Sequence, residues 1–139
     1  MIDIDQSTDF GARAAAHLGD DAFVWLTSVS PAGAPLPTPV WFFWDGGSSL
    51  RVQSLPTARR VHDLQNNPHL SLNFNGSPEG GDIVVLSGRA TEKPGDPVLD
   101  AYIEKYRERI SSLGLSPEEF ADQYSTALDI ELTALHGHP

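Results

Sequence analysis

The sequence predicts a mainly β fold with flanking helices, its six strands arranged as a barrel rather than a sandwich. Three observations predict it. Six segments rich in β-formers are punctuated by clusters of Gly, Pro, Asn and Asp. One short segment of helical period interrupts them between the third strand and the fourth. The 139 residues are enough for one core, so residues 1–139 read as a single domain.

The elements follow in order. A short helix is predicted over 9–18, capped by Thr8 or Asp9, with Phe10, Ala14, His17 and Leu18 on one face. Residues 22–29 (AFVWLTSV) form the first strand, with Trp25 in the core. A turn over 30–35 carries Pro31, Gly33 and Pro35. The second strand runs over 36–45. Prolines 35, 37 and 39 remove backbone donors, so its first half belongs at an edge or a bulge. Asp45-Gly46-Gly47 turns the chain into the third strand, 50–54. Residues 56–66 change period, with Ala58, Val61 and Leu64 or Gln65 on one face, and Pro68 stops the helix. The fourth strand, 69–75, points Leu70, Leu72 and Phe74 inward. The fifth, 82–92, carries Gly88 as a bulge or bend. A helix over 97–110 follows. Ser116-Pro117-Glu118-Glu119 then starts another with a capping box and proline at its first position. The last strand, 127–134, alternates Leu128, Ile130 and Leu132 against polar residues.

Composition narrows the function. The formal net charge is −10, which disfavours nucleic acid and anionic membrane surfaces as partners. No apolar run approaches the roughly 18 residues of a membrane helix, and the acidic start lacks the pattern of a signal peptide. A cytoplasmic protein is expected. Cysteine is absent, and with it disulfides, thiol catalysis and cysteine metal sites. No nucleophile elbow, phosphate loop, dinucleotide fingerprint or zinc-protease helix occurs. No residue is therefore assigned a catalytic role, and an enzyme built this way takes its chemistry from a cofactor.

Against that acidity, Arg59-Arg60 is informative. Two of nine basic residues sit together in the first turn of a short helix. The helix start is already partly positive, so cations there are unfavourable unless an anion faces them. Ser54 and Thr57 flank the turn as hydroxyl donors. The alternative is a solvated surface pair answering the chain's acidity. A second feature is Trp41-Phe42-Phe43-Trp44, which points aromatics to both faces of one strand. One face fills the barrel. The other meets a partner subunit or a flat ligand, unless the strand is buried on both sides. His136-Gly137-His138 lacks the further ligands a metal site needs, so no metal is assigned.

Three segments carry a resemblance to a known family. Residues 25–29 with Gly33, then Thr38-Pro39-Val40-Trp41-Phe42 with Trp44-Asp45-Gly46, are similar to the first hairpin of the pyridoxamine 5′-phosphate oxidase-like proteins. Ser54-Leu55-Pro56 with Arg60, Asp63-Leu64 and Asn67-Pro68 resembles their phosphate-binding strand, turn and helix. Residues 84–90 (VVLSGRA) resemble the strand that follows. The likeness spans about 20–92. The short chain and its P-V-W-F strand look most like the actinobacterial branch that mostly uses the deazaflavin coenzyme F420.

The resemblance implies a split β-barrel of the FMN-binding type. It implies a homodimer with cofactor sites between subunits, and hydride transfer to an unsaturated or conjugated small molecule. The implied cofactor residues are Pro39, Val40 and Trp41 behind the ring, and Gln53, Ser54, Thr57, Arg59 and Arg60 around the phosphate. FMN is the alternative cofactor, and a non-catalytic flavin or haem carrier the alternative role. The family often has lysine at the helix position where this chain has Arg60, and Asn where it has Asp63. Arginine also grips phosphate. A second set of basic residues for a substrate phosphate is absent, which argues against pyridoxine-phosphate oxidation itself.

Overall fold

In the computed structural model, which describes residues 2–139, the chain runs α1 (Asp9–Asp20), β1 (Val24–Val29), β2 (Pro35–Val40), β3 (Phe43–Trp44) and β4 (Ser49–Ser54). It continues α2 (Arg59–Asn66), β5 (His69–Asn73), β6 (Ile83–Pro94), α3 (Asp100–Ser112), α4 (Pro117–Gln123) and β7 (Thr126–His138). Local signals act as expected at several ends. Thr8 Oγ1 caps α1 by accepting from the Gly11 N–H at 2.9 Å, and Ser116 and Glu119 form the capping box of α4. The ladder between β6 and β7 slips register at Ser87/Gly88. A Cβ on Gly88 would lie 2.7 Å from Ile130 Cγ2, so the slip leaves room only for glycine.

The sheet has seven strands rather than six, all neighbours antiparallel, in the order β2-β1-β5-β6-β7-β4-β3. The expected second strand is two. It leaves the ladder at Trp41-Phe42: β2 pairs with β1 at one edge, and β3 pairs with β4 at the other. Val40 and Phe43 are three residues apart, so their Cα atoms are at most about 11 Å apart. The edges of a flat seven-stranded sheet would be about 29 Å apart. The sheet must therefore curl until its two edges meet at this corner.

The corner's backbone has left the ladder and needs other partners. Tyr106, on α3, supplies them. Its Oη accepts from the Phe42 N–H at 2.9 Å and lies 2.8 Å from the Ala22 carbonyl, to which it donates. Lys105 Nζ donates to the Phe42 carbonyl at 3.0 Å. The Phe42 side chain enters the barrel and is fully buried. There it joins Leu26, Val52, Leu72, Leu86 and Ile130 in the main core. A second core lies outside the barrel, where Tyr102, Tyr106, Ile110 and Phe120 pack with Trp41 and Phe43. Trp25, expected inside, is only half-buried, and its Nε1 donates to Asn75 Oδ1 at 3.0 Å. The prolines of β2 occupy alternate positions opposite Val29, Thr27 and Trp25. Since that ladder forms, the three missing N–H groups fall on the open edge, where they block further strand pairing.

Helix α1 is tied to the start of β6 by charge. His17 Nδ1 lies 2.7 Å from Asp21, and Nε2 lies 2.9 Å from Asp82. Asp82 also accepts from Arg13 at 2.9 Å. Both ring nitrogens face carboxylates, so only the imidazolium donates to both. Burial works against the charged ring, but the hydrogen bonds and charges of Asp21 and Asp82 outweigh it and hold His17 above its ordinary value.

Two outcomes follow. Tyr106→Phe leaves the Phe42 N–H buried without an acceptor, and is expected to cost about 1–3 kcal/mol, read as a lower urea midpoint. His17 is raised in the folded state, so its stabilisation is complete below about pH 6.5 and drains away as pH rises through the folded value. Urea midpoints should therefore fall as pH rises above about 6.5, and His17→Gln should flatten that fall.

Candidate functional site

The site is built where the end of β4 turns into α2. Ser54, the last residue of β4, is fully buried and opposite Thr126 of β7. The chain turns through residues 55–58, with the Ala58 N–H donating to the Leu55 carbonyl at 3.0 Å. Ala58 offers no side-chain cap, and no acid stands in the first turn of α2. Val61, Asp63 and Leu64 bury one face of that helix. This fixes which way the two adjacent arginines point.

They part company. Arg59 projects outward with 60% of its side chain exposed, and its Nε lies 3.7 Å from the buried Asp63 carboxylate. Arg60 turns inward, half-buried, and its Nε donates to Ser54 Oγ at 3.0 Å. Burial lowers the Arg60 pKa, yet a guanidinium stays charged in proteins. Among the described residues no carboxylate pairs with it. The ionisable groups that it neighbours are the phenols of Tyr102 and Tyr124.

Arg60 lines a cavity of about 290 Å³. Pro39, Val40 and Trp41 form one wall at the end of β2, and Gln53 of β4 lies beside them. The opposite wall comes from α3, α4 and their flanks: Tyr102, Leu113, Phe120 and Tyr124. Trp41 stacks on Tyr106 at 4.6 Å with the rings 5° from parallel, and on Phe120 at 5.8 Å. Phe120 stacks in turn on Tyr124 at 4.7 Å. Gln53 Nε2 donates to the Tyr124 carbonyl at 2.9 Å, which ties the end of α4 to the sheet. Gln53 Oε1 is buried and unpartnered. Burial pushes the Tyr102 hydroxyl up, so it stays protonated and able to donate.

Of the eight residues singled out from the sequence, Pro39, Val40, Trp41, Gln53 and Arg60 meet around this cavity. Ser54 stands behind Arg60, while Thr57 and Arg59 lie on the surface nearby. The outer face of the aromatic strand is covered by the chain's own helices. Tyr102, Leu113, Phe120 and Tyr124 were not anticipated. Tyr102 and Tyr106 are four residues apart and so share one face of the helix, and only the packing of α3 on the corner turns that face toward Arg60. The cavity combines one unanswered cation, phenol donors and flat aromatic walls, with no carboxylate in its lining. Such a site receives a flat ligand bearing an anion.

Comparison with known proteins agrees with this architecture. The model of the family described as pyridoxamine 5′-phosphate oxidase matches residues 10–138. No curated protein matches the chain. Among solved structures, an F420 reductase is 21% identical over 87% of this chain and 94% of its own, with a TM-score of 0.62. General Stress Protein 26 from Bacillus anthracis str. Sterne is 16% identical over 90% of each chain, with a TM-score of 0.66. A FAD-binding protein from Mesorhizobium loti is 17% identical over 89% of this chain and 88% of its own, with a TM-score of 0.57. At these identities the likeness establishes the curled, helix-flanked antiparallel sheet as the shared fold.

Proposed function

The chain belongs to the pyridoxamine 5′-phosphate oxidase family, and on that premise we propose that it is an oxidoreductase working through coenzyme F420. One observation carries the reading: Arg60 is a half-buried cation with no carboxylate partner, held in an aromatic-walled cavity. A half-buried guanidinium that no carboxylate among the described residues neutralises calls for an anion from outside. The cavity's residues fit a phosphorylated tricyclic cofactor. Arg60, steadied by Ser54, would take the phosphate. Pro39, Val40 and Trp41 would back the ring, and the unpartnered Gln53 Oε1 would accept from a ligand N–H. When bound, the reduced deazaflavin would supply a hydride to an unsaturated or conjugated organic substrate. Phe120 and Tyr124 would exclude water from one side of the site. The F420 reductase among the structural relatives supports the deazaflavin, and the FAD-binding relative keeps a flavin as the competing cofactor.

At about 290 Å³ the cavity lies at the small end of the range for ligand sites, so part of such a cofactor would extend beyond this chain's walls. We assign the missing wall to a second copy. The half-exposed Trp25, with Phe23 and Leu36 on the outer surface, supports that assignment. Light scattering after gel filtration should therefore give twice the mass of one chain, and a monomer at micromolar concentration overturns the assignment.

The cofactor is tested by fluorescence titration with F420 and, in parallel, FMN. Tight F420 binding, weakened at least about tenfold by Arg60→Ala, is the expected result. Arg59→Ala should leave that affinity within about threefold and instead lower stability, because it strips Asp63 of its partner. Preference for FMN moves the chain to that cofactor, and binding of neither removes the reading.

A further inference from the structure

The polar groups of the cavity are unusual in being almost all donors. Arg60 commits its Nε to Ser54 and keeps its terminal N–H groups. Tyr124 is held from two directions: its carbonyl accepts from Gln53 Nε2 at 2.9 Å, and its ring stacks on Phe120 at 4.7 Å. Its hydroxyl nevertheless has no hydrogen-bond partner among the described residues, although the ring lines the cavity. Tyr102 is 1% exposed and also lines the cavity. Burial keeps its hydroxyl protonated, so its O–H is there to offer. Both phenols line the same cavity as Arg60. Among the described residues, neither the Tyr102 nor the Tyr124 hydroxyl donates to a protein acceptor.

We propose that Tyr102 and Tyr124 join Arg60 as a three-donor receptor for a phosphate ester carried on a planar ring, with Tyr124 the residue that sets preference for the phosphorylated ligand. The assignment rests on the same cavity as the oxidoreductase reading, but it concerns the receptor alone and stands whichever cofactor is used. Its chemistry is that of a dry oxyanion pocket. A guanidinium and two neutral O–H donors face the ester oxygens, and the stacked rings of Trp41 and Phe120 exclude the water that would compete for them. Residues of α3 and α4 thereby do more than cover the barrel; they complete the anion site that β4 and α2 begin. Tyr124 is a positioning and specificity residue here, with no part in transferring a hydride or a proton.

The test uses the full chain and a small probe that needs no redox chemistry. Phenyl phosphate supplies a flat ring and a phosphate ester, and benzyl alcohol is its uncharged control. Trp41 lies in the wall and reports occupancy by its fluorescence. Phenyl phosphate should bind at least about tenfold more weakly to Tyr124→Phe than to the unaltered chain, with benzyl alcohol unchanged, because the substitution keeps the ring stack and deletes one hydrogen bond to a charged group. Arg60→Lys should bind it more weakly still, since a lysine ammonium lacks the guanidinium fork. Equal binding of phenyl phosphate by Tyr124→Phe and the unaltered chain overturns the proposal. So does an equal loss for both probes, which would make Tyr124 a packing residue only. Absence of phenyl phosphate binding in the unaltered chain overturns it as well. Binding of phenyl phosphate without binding of F420 or FMN would keep the receptor and remove the oxidoreductase reading, so the two fail separately.

Discussion

The structure depends on one corner. Trp41 and Phe42 join two strands that lie at opposite edges of a seven-stranded sheet, so the chain itself draws those edges together. A corner of this kind takes backbone groups out of the ladder, and buried groups without partners are costly. Tyr106 and Lys105 answer both groups of Phe42 from one turn of α3. The same bonds that close the barrel therefore dock the helix. Once α3 is docked, Trp41 is pressed against Tyr106 and the second aromatic core has its seat.

The site is a consequence of that docking. Strand β4 and helix α2 would by themselves present an arginine on an open surface, where water would screen it. With α3 and α4 in place, Arg60 sits among aromatic rings and its charge is poorly solvated. The neighbouring Arg59 behaves in the opposite way, because Asp63 is there to receive it. Two residues of the same type, adjacent in sequence, thus have different roles set by which face of α2 each occupies. The chain as a whole is acidic, with a formal net charge of −10, and the cavity is a local exception to it.

Much of the fold was legible because the relevant physics is local. Alternation in 69–75 and 127–134 marks inward Leu and Ile residues, and these are buried. The capping box at Ser116 and the close approach at Gly88 each follow from a few neighbouring atoms. The split of the second strand was not legible, since an apolar aromatic run reads as one extended segment whether or not it bends. Trp25 was misplaced for a different reason: β1 alternates, with Val24 and Leu26 buried, so Trp25 falls on the outer face and stays half-buried.

For the site, residue type and order determined that an arginine would follow a buried strand end, on a helix start without an acid to answer it. They also determined that the first half of the strand over 36–45 would lie at an edge or a bulge, because prolines 35, 37 and 39 have no N–H to give. Only the tertiary structure decided which arginine faces inward, and that Tyr102, Phe120 and Tyr124 form the opposite wall. Those residues lie roughly 40 to 70 positions further along the chain than Arg60. Periodicity shows that a helix has an apolar face, but the surface that face meets is chosen by packing across the whole molecule. Here it was chosen by two unpaired backbone groups at Phe42 and the tyrosine and lysine that satisfy them.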